Sequence, residues 1–155
     1  MSRARHLGSS LERTMTGPMW HGPALADVLK GVTAERAAAH PIAGAHSIWE
    51  IVLHITAWSD IAALRIKGES TGDPTREQDW PPVSYADADW PRAVERLGES
   101  HRRLAADTRL LTEQQLDALV SGLEYSVHVM LHGIIEHGTY HGGQIALLKR
   151  AGGQP

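Results

Sequence analysis

Residues 126–150 read SVHVMLHGIIEHGTYHGGQIALLKR, and this stretch decides the fold. Val127, Met130, Ile134, Ile145 and Leu148 recur at the three-and-four spacing of an α-helix. Ser126 stands where a cap belongs, and Gly152–Gly153 follows where a helix would end. The stretch carries two histidine pairs at i,i+4, His128/His132 and His137/His141. At about 100° per residue, the offset between the pairs turns them ~180° apart, so only one pair faces a core. His137 and His141 share the apolar face, which only Gln144 interrupts; His128 and His132 share the other with Glu136, Thr139 and Arg150. The first pair is therefore expected inside and the second in solvent.

Working outward, residues 47–58 read SIWEIVLHITAW. Ser47 and Glu50 form a capping box, and the helix they start is expected to reach about Lys67, where Gly68 stops it. His54 lies in a stripe with Ile51, Trp58 and Ile61, while Thr56, Asp60 and Lys67 fall opposite. Three histidines on two helices are thus expected to face one core. A third helix begins near Asp89, with Pro91 in its first turn and Val94, Leu97, His101 and Leu104 inward. Near the start, Leu7–Met15 and Ala24–Lys30 read as one helix broken by Gly17, Pro18, Gly22 and Pro23. Residues 68–88 read as a long, proline-bearing loop, a crossover or a functional segment. The pattern predicts an all-α four-helix bundle with a long crossover between helices 2 and 3. It forms a single domain over residues 1–155, with residues 1–17 fraying.

The composition, 42% hydrophobic and 21% charged over 155 residues, is that of a globular chain able to fold without staples. Cysteine is absent, which excludes disulfides, thiolate metal sites and a cysteine nucleophile. A net charge of −3 disfavours nucleic acid as a partner. No stretch approaches the ~20 apolar residues of a membrane span, and the positive N-terminus lacks a signal peptide's apolar run. The expectation is a cytoplasmic protein acting on a small molecule.

Burying three imidazoles is costly unless their ring nitrogens find partners. One divalent cation held by His54, His137 and His141 would satisfy one nitrogen on each, and three neutral ligands leave positions open. The competing reading is three core histidines bonded to one another or to trapped water. HxxxH spacing does not choose between them, since His128/His132 repeats it. The zinc-peptidase motif HExxH is absent, because Glu136 precedes His137. Four residues stand as further cavity or supporting candidates: Glu50, one turn before His54; His101, in the third helix's stripe; Tyr140, at the edge of the inward face; and His21, in the first helix's kink. The simplest role for Trp49, Trp58 and Trp90 is packing. Asp79, Trp80 and Tyr85 of the long loop are placed to cover the mouth of the site.

SIWEIVLHITAW followed by EHGTYHGGQIALLKR resembles the DinB/YfiT-like superfamily of metal-dependent proteins, over about residues 20–150. The resemblance implies a four-helix bundle with a long crossover, a homodimer, and a metal triad that falls on His54, His137 and His141. The periodicity selects the same three residues. Some members are S-transferases or isomerases using mycothiol, bacillithiol or glutathione, so zinc or nickel with a low-molecular-weight thiol is implied here. Gly142 and Gly143 depart from the larger residues often found there, and glycines weaken a helix by roughly 1 kcal/mol each unless a close approach needs them. The expected function is a metal-dependent enzyme, a thiol S-transferase or a hydrolase using metal-activated water. The alternatives are a non-catalytic metal-binding or stress-response protein and a purely structural bundle.

Overall fold

The computed structural model describes residues 2–69 and 72–153. Regular structure there is helical throughout: α1 (Arg3–Thr16), α2 (Leu25–Leu29), α3 (Ala34–Ala38), α4 (Ile48–Arg65), α5 (Arg76–Asp79), α6 (Asp89–Arg109), α7 (Glu113–Asp117) and α8 (Val127–Ala151). Side-chain caps fix the starts of three of the four long helices, α1, α4 and α8. Ser47 Oγ accepts the Glu50 N–H at 3.2 Å, and the Glu50 carboxylate accepts the Ser47 N–H at 2.6 Å, so the expected capping box is present. Ser126 caps α8 through the Val129 N–H, and Ser2 caps α1 through the Arg5 N–H.

α1 packs on α6 and α8, and α4 packs on α6 and α8. Two apolar clusters hold these helices together. One contains Met15, Trp49, Val52, Ile55, Leu97, Ile145 and Leu148. The other contains Leu7, Leu11, Ala62, Leu104, Leu131 and Ile134. Each long helix contributes to both, and near their junction lie Thr14 on α1, His54, Thr56 and Ser59 on α4, Ser100 and His101 on α6, and His141 on α8, while Arg65 and Thr108 lie beyond it, past the second cluster's residues on α4 and α6. A polar layer therefore crosses the core between two apolar ends, and the histidines belong to it.

Several expectations change. The start of the chain, expected to fray, forms α1 from Arg3, because Ala4, Leu7, Leu11 and Met15 bury one side of it. The broken first helix is two separate helices, α1 and α2, parted by 17–24. Gly8 permits the contact with α6: a Cβ there would lie 2.7 Å from the Ala105 carbonyl oxygen. Gly138 likewise admits α1, since its Cβ would meet Thr14 Cγ2 at 2.7 Å. The glycines of α8 thus serve close approach at one position and leave the helix unbroken for 25 residues. Thr56, expected in solvent, is buried, its hydroxyl donating to the Val52 carbonyl at 2.8 Å. Trp58 and Ile61, expected inward, are only half-buried.

Candidate metal centre

His54 comes from the middle of α4, and His137 and His141 from adjacent turns of α8. One ring nitrogen of each lies within 4.8 Å of the others. His137 Nε2 is 2.9 Å from His54 Nε2 and 3.1 Å from His141 Nε2.

The proton count at this junction is decisive. His54 Nδ1 lies 2.7 Å from the Asp79 carbonyl, which only accepts, so the His54 proton is on Nδ1 and Nε2 is a lone pair. His141 Nδ1 donates to Gln144 Oε1 at 2.6 Å, leaving its Nε2 a lone pair as well. Gln144 is oriented in turn by donating Nε2–H to the Tyr140 hydroxyl at 3.0 Å. His137 has one proton to place. On Nδ1 it has no acceptor, since that atom is buried and unpartnered. On Nε2 it faces two lone pairs and satisfies one linear hydrogen bond. Adding a proton is opposed by burial, which lowers all three pKa values and pushes His137 down to about 3, helped by its histidine neighbours. Three convergent neutral nitrogens with at most one proton among them suit a shared cation. Metal–nitrogen bonds of about 2.0–2.1 Å put neighbouring ligand nitrogens about 3.0–3.4 Å apart, close to the two spacings at His137; His54 and His141 lie within 4.8 Å of each other.

The surroundings fix the rings. Trp80 stacks on His54 at 3.9 Å between centroids and 7° between planes, and His46 stacks on Trp80 at 3.6 Å and 11°. Asp79 Oδ1 accepts the Trp58 indole N–H at 2.7 Å and lies 3.2 Å from His54 Nδ1. One cavity of about 550 Å³ opens on the His141 side, between Ile51, Trp80, Tyr140 and Leu148. Another of about 280 Å³ opens on the His137 side, between Trp58, Tyr125, Met130 and Ile134.

A family model of the DinB superfamily matches residues 20–145. The chain belongs to the DinB superfamily. Comparisons with curated proteins and with solved structures return no match.

Within this DinB chain the other candidates separate. Tyr140 is 64% exposed, yet it braces Gln144 and so acts on His141. Glu50 does not touch His54; its carboxylate serves Ser47 and the imidazole of His40 at 3.0 Å. His21 is exposed beside Gly138 and Gly142, in a hollow that none of the three histidines lines. Tyr85, expected over the mouth, turns toward Trp49 and is exposed. Asp79 and Trp80 do reach the site, through α5 and the residue after it. The Asp79 carbonyl was not foreseen, because a backbone acceptor leaves no signature in a sequence.

His101 is buried but stands outside the ligand group. Its Nδ1 lies 3.2 Å from the Leu97 carbonyl and 3.4 Å from Ser59 Oγ. Burial pushes its pKa down to about 4, against about 6.5 when unfolded. The unfolded chain therefore takes up this proton first as pH falls. Its stabilising contribution is whole above pH ~6.5 and is lost between there and pH ~4, to a limit of about 3 kcal/mol. Urea unfolding of metal-free protein at stepped pH should show that slope, and His101→Asn should lessen it, leaving the part due to His54, His137 and His141. Equal slopes would contradict this assignment.

Proposed function

We propose that His54, His137 and His141 hold a divalent transition metal, zinc or nickel, at the centre of a DinB-type four-helix bundle. The observation that carries this reading is the convergence of three Nε2 atoms that cannot all satisfy one another. Such an ion supplies Lewis acidity that lowers the pKa of a thiol or water brought to its open positions. The chain's own residues set the conditions for that chemistry. Asp79 and Gln144 hold the His54 and His141 tautomers with Nε2 free, and such outer partners are worth about 10–100-fold in metal affinity. Trp80 covers His54 and keeps water from that side.

The reaction we favour is thiol transfer. With no cysteine of its own, the chain takes its thiol from a low-molecular-weight cofactor such as glutathione, mycothiol or bacillithiol. The cavity on the His141 side has room for it, and the smaller one beside His137 receives the acceptor. Hydrolysis by activated water needs only one cavity and is the second enzymatic reading. We further propose a homodimer, as the family resemblance implies, that acts on a small molecule in the cytoplasm.

Cobalt(II) substitution separates these readings. Titrating cobalt-loaded protein with the three thiols should raise a thiolate-to-cobalt charge-transfer band in the near ultraviolet with at least one of them. A cobalt spectrum unmoved by every thiol, with ester or amide cleavage present, would favour the hydrolase. An unmoved spectrum with no turnover would favour the non-catalytic metal-binding or stress-response role.

A further inference from the structure

Arg65 closes α4, and it is 4% exposed. It is the one buried arginine of the described residues. Arg3, Arg92, Arg96, Arg103 and Arg109 lie nearer the surface, and each has a carboxylate partner. Arg65 has none among the described residues. Its guanidinium donates to the Tyr125 hydroxyl at 2.9 Å and to the Gly72 carbonyl at 2.5 Å, and Nε is buried without an acceptor. Asp73 lines a second hollow that Arg65 also borders, but it makes no ion pair with it. A guanidinium keeps its charge wherever it is placed, and a buried charge without a counter-charge is costly.

The guanidinium lies between two walls of the smaller cavity. Its Cζ is 5.6 Å from the centroid of Trp58 on one side, and Tyr125 holds it on the other. The rest of that lining is apolar, with Val129, Met130 and Ile134, and His137 stands within the same cavity. A buried guanidinium with an unpartnered Nε–H and no ion-pair partner, on an otherwise apolar cavity, suits a planar monoanion.

We propose that Arg65 is an anion anchor, and that the cavity between α4 and α8 takes a small organic monocarboxylate with an apolar body. The carboxylate meets the guanidinium, and the body runs along Trp58 and Ile134 toward His137. The anchor stands on Arg65 and its surroundings alone. The further step, that the bound molecule is the acceptor for chemistry at the histidines, rests on the metal-centre reading above.

The test uses the full chain, metal-free, with hexanoate and its neutral isostere hexanamide, followed by calorimetry and tryptophan fluorescence. Hexanoate should bind at least about tenfold more tightly than hexanamide. Arg65→Met should abolish that preference, and Arg65→Lys should retain part of it. Because Arg65 is buried, Gly133→Leu provides an independent arm. Gly133 lines the cavity, is exposed, and has open space where a Cβ would go. This variant should fold normally and lose hexanoate binding at least tenfold. Equal binding of hexanoate and hexanamide, or hexanoate binding unchanged in Gly133→Leu, would overturn the anchor. Because both arms are metal-free, a failure of metal binding leaves this result standing.

Discussion

His54→Ala loses zinc or nickel affinity by more than about 100-fold, while the protein stays folded. The magnitude follows from a comparison within the site. Removing a group that only orients a ligand costs about 10–100-fold, so removing a ligand itself costs more. His54 is the sole ligand from α4, so its loss leaves two imidazoles on adjacent turns of one helix. Gln144→Met grades the effect. It removes the acceptor of the His141 proton without touching a ligand, and it falls within the 10–100-fold range. Competition with a chromophoric chelator reads both variants. Unchanged affinity in His54→Ala would place the metal elsewhere.

Trp49→Ala costs about 3–5 kcal/mol of stability. Trp49 is 2% exposed and anchors the apolar cluster at one end of the helices, its ring 5.4 Å from that of Trp90. Trp90 in turn donates its indole N–H to the Val32 carbonyl at 2.7 Å, tying the start of α6 to the chain after α2. Truncation opens a cavity that rigid helices cannot close. Against the ~5–15 kcal/mol typical of a domain, the loss is large. Urea denaturation should show it, with Trp49→Phe costing less. A change below about 1 kcal/mol would mean the cluster repacks freely.

What was legible in the sequence follows from periodicity. α8 and α4 are long enough for a 3.6-residue repeat to stand out, and that repeat places His54, His137 and His141 on inward faces. The short helices α3, α5 and α7, of four or five residues each, hold too few turns to show any repeat. Thr56 misleads because a hydroxyl can satisfy itself on its own helix and be buried. Arg65 follows His54 by three turns, about 20° off the same line, so its inward position was available from spacing. A basic residue in a helix's last turn has an ordinary electrostatic reason to be there, and that reason hid it. The roles of Asp79 and Trp80 depend on where 72–88 lies against α4, which no local pattern encodes.

The most direct measurement is elemental analysis of untagged protein, as purified and after reconstitution with zinc and nickel. The account predicts about one equivalent of a transition metal per chain, as three protein ligands at one site require. No bound metal, even after reconstitution, would contradict it and leave three histidines facing one another across a polar layer.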